Sequence, residues 1–212
     1  TDLSVPQWIT EKLVCSKVEP LNNLLDFQQF VLLETGYPFE FYDLEKIHSF
    51  LQTTNFELSL GPTETPTSFN GSNDLLYNLN SNILTLKANQ YPISIGGIIS
   101  SKETEYDLNT KSLLIEGSIF SSKKIRQQSR LLGLRTERSA RYEKGLNNSY
   151  FIEALLRLLT LLQINNPNLI CKIHTASEVK QKNDRKLSLH YNNVIEILGP
   201  VQNSNTGKIG DI

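Results

Sequence analysis

The sequence predicts an α+β fold in which mixed or antiparallel sheets are flanked by helices, followed by a truncated second domain. Two features of the 212 residues support this prediction. Apolar residues recur at helical spacing at both ends of residues 1–178, whereas between residues 50 and 118 they alternate with a period of two. Helical and strand patterns therefore form separate blocks, which is typical of α+β proteins.

The first forty residues predict two helices and a strand. In residues 4–17 (SVPQWITEKLVCSK), a Ser cap and a Pro in the first turn accompany apolar residues at helical spacing. Residues 22–36 (NNLLDFQQFVLLETG) begin with an Asn cap and end with Gly, which are the start and stop signals of a second helix. The aromatic-rich YPFEFYD (37–43) predicts a short strand.

Strands joined by turns are predicted through the middle of the chain. They cover FELSL (56–60), FNGSN with its Asn-Gly turn (69–73), ILTLKANQYPISIGGII (83–99) and SLLIEGSIF (112–120). Gly96 and Gly97 lie inside one of these patterns, where glycine indicates a bulge or a close approach of the backbone.

The remainder of the first domain is predicted to be mainly helical. Helices are expected at 121–133 and 149–164, and LICKIH (169–174) predicts a strand. In 133–145 (GLRTERSARYEKG) nothing resembles a core strand and the apolar stripe of a packed helix is missing, so this segment is either a solvated face or the lining of a site.

A charged, Asn-containing stretch at 178–186 predicts a linker between two domains. We therefore assign residues 1–178 to the first domain and 179–212 to the linker and the start of the second. Beyond the linker, LSLHYNNVIEILG (187–199) predicts a strand followed by an amphipathic helix. The chain begins at Thr1 and contains no Met, so we expect it to be part of a larger protein.

Composition excludes several classes of site. Two cysteines, Cys15 and Cys171, cannot build a disulfide framework, and we interpret them as buried thiols in a reducing compartment. His48, His174 and His190 have no Cys or acidic neighbours at metal-ligand spacing, so no metal site is predicted. No apolar run is long enough to span a bilayer, and no nucleophile motif or phosphate loop occurs.

Charge is segregated along the chain although the net charge is only −1. Between residues 123 and 144 there are eight basic and two acidic residues. One interpretation is a patch for a phosphate backbone, and the other is a solvated surface whose cations pair with acidic residues elsewhere. The candidates for RNA contact are Lys123, Lys124, Arg126 and Arg130.

Two carboxylates interrupt patterns that otherwise predict buried strands. Glu116 lies in the apolar LLIEGSIF, and Glu40 lies between aromatic residues in PFEFYD. A carboxylate in an apolar wall is costly unless it has a partner, so each either faces solvent or lines a polar pocket. Thr136 is a second candidate for the pocket, or a simple helix cap.

The order of motifs resembles the B3/B4 region and the first part of B5 in the bacterial-type phenylalanyl-tRNA synthetase beta subunit. The stretches that carry the resemblance are SVPQWITEKL, EPLNNLLDFQQFVLLETGYPFEFYDLEKI, FNG, YPISIGGII and LLIEGSIFSSKKIRQQSRLLGLRTERSARYEKG. RKLSLHYNNVIEILG resembles the opening of B5. Almost the whole chain is covered, with the motifs in the family's order.

The resemblance implies an editing domain, which in that family hydrolyses tyrosine wrongly esterified to tRNA(Phe). It further implies that Glu116 reads the tyrosine hydroxyl, that Gly97 closes its backbone on the substrate and that Thr136 lines the pocket. The implied partners are an alpha subunit and tRNA(Phe), in a heterotetramer. No cofactor is implied for this fragment, since the ATP and magnesium of synthesis belong to the alpha subunit.

The Asn-rich, AT-biased residue usage favours the plastid stroma as the location, and the bacterial cytoplasm is the alternative.

Four positions depart from the pattern that the sequence resembles. Gln28 and Gln29 replace Thr-Asn, Glu40 replaces a His, and Arg138 replaces a small Ala. An ion pair of Arg138 with Glu40 or Glu116 would seal the pocket. Two hypotheses follow: a domain that still hydrolyses mischarged tRNA, and a non-catalytic module that contacts the alpha subunit or tRNA after editing has been lost.

Overall fold

The chain divides into two compact units, Thr1–Val179 and Lys180–Ile212. The residues that the computed structural model describes are 4–107, 109–164, 166–175 and 188–199. The domain boundary that we predict after residue 178 lies outside these residues and stays a prediction. In the second unit, the described part contains one helix, α7 (Tyr191–Leu198).

Helices and strands in the first unit are grouped as expected for an α+β fold. The helices are α1 (Gln7–Cys15), α2 (Leu24–Thr35), α3 (Leu44–Leu51), α4 (Ser122–Leu132), α5 (Glu137–Lys144) and α6 (Phe151–Gln163). The strands are β1 (Phe39–Asp43), β2 (Leu58–Gly61), β3 (Thr67–Asn70), β4 (Leu76–Leu79), β5 (Thr85–Ala88), β6 (Tyr91–Ile95), β7 (Ile99–Ser100) and β8 (Leu113–Gly117). A 3-10 turn covers Lys102–Thr104.

Every strand pair in the described residues is antiparallel, which confirms the predicted fold class. β2, β5, β6 and β7 form a four-stranded sheet in that order, and β3 pairs with β4. β1 pairs with β8, although more than sixty residues separate them in the chain. This two-stranded ribbon carries the candidate site.

Both faces of the ribbon are covered. Phe39 and Phe41 of β1 pack into the largest apolar cluster, together with residues of α1, α2 and α6. Tyr42 belongs to a different cluster, which includes Leu86 of β5 and Ile93 of β6. Since side chains alternate along a strand, Glu40 shares the face of Tyr42. The Glu40 carboxylate therefore lies on the face of the ribbon opposite the rings of Phe39 and Phe41.

Helix α2 follows the sequence signals closely. The Asn23 side chain accepts a hydrogen bond from Leu25 N at 2.8 Å, and Gly36 ends the helix in the left-handed conformation. The Ser cap predicted for α1 is wrong, because Pro6 occupies the cap position and provides no side-chain bond.

Cys15 and Cys171 are exposed, which corrects the prediction of buried thiols. On α1 the buried positions are Ile9 and Leu13, one turn apart, and Cys15 lies on the other side.

Two further predictions were wrong, and two helices were not predicted. Residues 169–174 form no strand, because Ile170 and Ile173 are exposed and pair with no strand in the described part of the chain. No strand occurs at 188–190 before α7. Residues 137–144 do form a helix, α5, although they lack an apolar stripe. Helix α3 was not predicted either; it begins where the Asp43 side chain accepts a hydrogen bond from Lys46 N at 3.0 Å.

Gly97 lies in the tight turn between β6 and β7, with a φ of +71°. A Cβ added there would lie 2.8 Å from Ile125 Cδ1 and 2.8 Å from Phe120 Cδ2. This close approach of backbone and side chains, rather than a bulge, explains the glycine. Gly133, at the end of α4, has a similar φ of +61° but no atom within 4 Å of the added Cβ.

The pair of glycines gives a test of this packing. We expect Gly133→Ala to lower the free energy of unfolding by about 1–2 kcal/mol, because of the left-handed backbone alone. Gly97→Ala should cost about 1–3 kcal/mol more, since the methyl group also forces apart packed side chains. Urea unfolding of the 212-residue chain measures both, and equal losses would contradict the packing explanation.

Candidate functional site

Two carboxylates face each other across the β1–β8 ribbon. Glu40 and Glu116 are register partners in the antiparallel pair. Like charges directly opposite on a ribbon destabilise it. Both side chains are largely shielded from solvent, with exposures of 14% for Glu40 and 8% for Glu116. A buried cation is therefore required near them.

Arg138 of α5 supplies that cation and contacts both carboxylates. Its Nη1 donates to Glu40 Oε2, and its Nη2 donates to Glu116 Oε2 at 3.1 Å. The hydroxyl of Tyr42 donates to the same Glu116 oxygen, also at 3.1 Å. We call Glu40, Glu116 and Arg138 the buried triad. Its arginine is 11% exposed, so all three charged groups are removed from most of the solvent.

Helix α5 is held in place at both ends, which positions Arg138. Thr136 caps its start through a capping box with Ser139, and the Thr136 hydroxyl also donates to Ile98 O at 2.8 Å. Near the other end, the buried Tyr142 donates to Ser118 O at 2.9 Å. The Tyr142 ring lies edge-on to Phe120, with 4.9 Å between centroids. Polar anchors and one aromatic ring thus replace the missing apolar stripe.

Electrostatics of the triad are dominated by burial and by mutual attraction. Burial raises the pKa of Glu40, and the Arg138 guanidinium opposes this while Glu116 adds to it. Burial also raises the pKa of Tyr42 well above its ordinary value, with a further contribution from Glu116. For Arg138, burial works to lower the pKa, but the two carboxylates outweigh it and the pKa is raised. The arginine therefore stays charged.

An open cleft of about 330 Å³ lies beside the triad. Its lining includes Gln28, Gln29, Glu40, Thr136 and Arg138. Helix α2, the start of β1, the β6–β7 turn and the start of α5 all contribute to its walls. All four positions at which the sequence departs from the family's pattern therefore lie around one cleft, and Thr136 joins them.

The other two predicted pocket residues lie outside the cleft lining. Glu116 lies behind Arg138, which contacts it and itself lines the cleft. Gly97 faces Phe120 and Ile125, as described above, and its neighbour Ile98 lines the cleft instead.

Tyr42 was not among the residues singled out from the sequence, and its position two residues after Glu40 was the available signal.

The buried triad also leaves polar atoms unsatisfied. Glu116 Oε1 and Arg138 Nε have no hydrogen-bond partner among the residues that the structure describes. On α2, Gln28 Nε2 donates to Phe39 O, whereas its Oε1 is likewise without a partner there. Unsatisfied buried groups each cost free energy, so this region is not optimised for stability.

The four candidates for RNA contact lie on α4, away from the triad's hydrogen bonds. Lys123, Lys124, Arg126 and Arg130 are all exposed.

Within the described ranges, no His, Cys, Asp and Glu side chains are grouped so that they could hold a metal ion. Among the described helices, none is long and apolar enough to cross a membrane.

The sequence of this chain matches a known protein family. Residues 1–165 match the B3/4 domain. The chain belongs to the B3/4 domain family. This B3/4 chain is 53% identical over 201 residues to the chloroplastic phenylalanine–tRNA ligase beta subunit of Phaeodactylum tricornutum, covering 95% of this chain and 28% of that protein.

Bacterial beta subunits of phenylalanine–tRNA ligase are also similar to this B3/4 chain. That of Trichormus variabilis is 30% identical over 208 residues, covering 97% of this chain and 26% of the relative. That of Streptococcus thermophilus is 30% identical over 191 residues, covering 89% of this chain and 23% of the relative. The chain thus spans about a quarter of the length of these relatives. The resemblance identified from the motifs is confirmed.

The buried triad predicts a large difference between two arginine substitutions. Arg138→Met leaves two buried carboxylates without their cation, and we expect a loss of about 3–5 kcal/mol in the free energy of unfolding. Arg157→Met is the control, because Arg157 pairs with Glu34 at 2.8 Å on the half-exposed surface of α6. Exposed pairs contribute under about 1 kcal/mol. Similar losses for both variants in urea unfolding would rule out a triad of this importance.

The pH dependence of the Arg138→Met deficit is a separate test. Without the guanidinium, the pKa of Glu40 rises further, so the folded variant binds protons that the folded wild type does not. Stability of the variant relative to wild type therefore falls as pH rises and recovers as pH is lowered from about 7 to about 5. Urea unfolding at several pH values measures this, and a deficit independent of pH would contradict it.

Proposed function

We propose that this chain is the B3/4 module of a plastid phenylalanine–tRNA ligase beta subunit, and that its cleft does not hydrolyse Tyr-tRNA(Phe). The partners in this proposal are an alpha subunit, which carries the synthetic site, and tRNA(Phe), within a heterotetramer. The 53% identity to a chloroplastic relative supports the plastid assignment. The bacterial relatives leave the bacterial cytoplasm as the alternative location.

We infer the loss of hydrolysis from the position of Arg138, which contacts Glu116. A site that selects tyrosine against phenylalanine needs a free acceptor for the tyrosine hydroxyl. Here Glu116 Oε2 already accepts from Arg138 and from Tyr42. Glu116 Oε1 has no partner among the described residues, but it is buried and Glu116 does not line the cleft, so neither oxygen is open to a substrate there. A substrate hydroxyl would have to displace a buried, doubly paired guanidinium, which is far more costly than forming one hydrogen bond.

Space alone does not exclude an amino acid. The cleft of about 330 Å³ is within the size range of small-molecule sites. The ion pair of Arg138 therefore does not seal the pocket as expected: room remains in front of the triad, but the acceptor that would read the hydroxyl lies behind it. The proposal rests on chemistry rather than on volume.

The alternative, an active editing domain, has one observation in its favour. Glu40 lines the cleft and burial raises its pKa, and both are properties of a general base. Against it, Glu40 Oε2 is held by Arg138, so proton transfer to that oxygen must compete with a charge-assisted bond. This favours the non-catalytic module as the better-supported function.

Deacylation of Tyr-tRNA(Phe) by the assembled synthetase that contains this chain tests the proposal. We expect tyrosine to be released at the rate seen without enzyme, and Glu40→Gln and Glu116→Gln to leave that rate unchanged. The matched control is Glu57→Gln, which changes an exposed carboxylate outside the cleft lining. Rapid release of tyrosine that is abolished by Glu40→Gln but not by Glu57→Gln would overturn the proposal and establish editing.

A further inference from the structure

A second hollow, of about 240 Å³, lies on the side of α4 that meets α5. We call it the arginine groove. Its lining residues are Arg126, Ser129, Arg130, Gly133, Leu134, Arg135 and Glu143. Three of these side chains are cationic and one is anionic. The spacing explains the grouping, because residues 126, 129, 130 and 133 lie on one face of a helix.

The arginines of the groove make only long hydrogen bonds or ion pairs, or none, within the described protein. Arg135 Nε lies 3.9 Å from Glu143 Oε2, and Arg126 Nη2 lies 3.5 Å from the Glu143 carbonyl oxygen. In the described part of the chain, the Arg130 side chain takes part in no ion pair. Each guanidinium offers five N–H donors, so most of the donors around this groove are left to solvent or to a ligand.

A buried hydroxyl at the base of the groove gives an independent indication of a ligand. Ser129 is 6% exposed, and its Oγ has no hydrogen-bond partner among the described residues. A serine hydroxyl in a helix commonly bonds to the carbonyl one turn earlier, but this one does not. An acceptor oxygen in the groove would satisfy the hydroxyl and the surrounding guanidinium groups together.

The chemistry of this lining suits a phosphate group. Planar guanidinium groups bind phosphate oxygens through two parallel N–H donors, and a hydroxyl completes such a site. Basic residues continue beyond the groove on the exposed surface of α4 with Lys123 and Lys124. This row of cations extends further than a single phosphate group could contact. It therefore favours an extended polyanion over a small phosphate compound as the ligand.

We propose that the arginine groove binds a backbone phosphate of the tRNA, with Arg126, Arg130 and Arg135 as the principal ligands. This rests on the proposed function only in taking tRNA as the partner. It distinguishes among the four residues singled out from sequence: Arg126 and Arg130 line the groove, whereas Lys123 and Lys124 do not. The two lysines then contribute general attraction rather than a defined contact.

The test compares two double variants that remove the same charge from the same helix. In the assembled synthetase, Arg126→Gln/Arg130→Gln should weaken binding of a tRNA(Phe) transcript about tenfold or more at roughly 0.1 M salt. The slope of log affinity against log salt should fall by about 1–2. The control, Lys123→Gln/Lys124→Gln, should lower affinity by less than about threefold, because it removes no groove ligand. Equal losses for the two pairs would overturn the groove in favour of a diffuse patch.

A third variant changes affinity in the opposite direction. Glu143→Gln removes the one carboxylate of the groove, so tRNA binding should strengthen about two- to fivefold, an effect that misfolding cannot produce. No gain would count against the groove.

Inorganic phosphate distinguishes a small ligand from RNA. If calorimetry shows that phosphate binds to wild type and not to the Arg126→Gln/Arg130→Gln variant, while tRNA affinity is equal in both, the RNA assignment is wrong. Failure here is distinguishable from failure of the proposed function, because tRNA affinity reports on the groove and tyrosine release reports on the cleft.

Discussion

The contact of one arginine with two opposed carboxylates is the constraint on which the rest of this B3/4 domain depends. Glu40 and Glu116 are brought together by strand register, not by mutual attraction. Their repulsion must be offset by a cation from a third element, and α5 supplies it through Arg138. β1, β8 and α5 are separate in sequence, and they are therefore joined here by ion pairs, where apolar packing would ordinarily join such elements.

This arrangement explains why α5 could not be predicted from hydrophobic periodicity. Its buried residues are Arg138, Ser139 and Tyr142, and none of these is aliphatic. Periodicity measures apolar side chains, so a helix anchored by hydrogen bonds and one ring appears to be a charged loop. By contrast, α2 was predictable to within two residues at either end, because its Asn cap, its final Gly and its apolar residues are all local signals.

The candidate site shows the same division between local and non-local information. From sequence, pairing of Arg138 with Glu40 or Glu116 was a reasonable expectation, since the two carboxylates interrupt apolar patterns and Arg138 replaces a small Ala of the pattern that the sequence resembles. That the arginine pairs with both could not be derived, because the β1–β8 register is set by packing of strands more than sixty residues apart. Likewise, the exposure of Cys15 depends on which side of α1 meets the core.

Helix α5 contributes residues to both the cleft and the arginine groove. One side of it places Arg138 in the lining of the cleft, while Glu143 near its end lies beside Arg126 of α4 and Arg135 of the loop between α4 and α5. A helix of eight residues has little stability of its own, so its position is determined by these tertiary contacts. The contacts that hold α5 therefore position both Arg138, which lines the cleft, and Glu143, which lines the arginine groove.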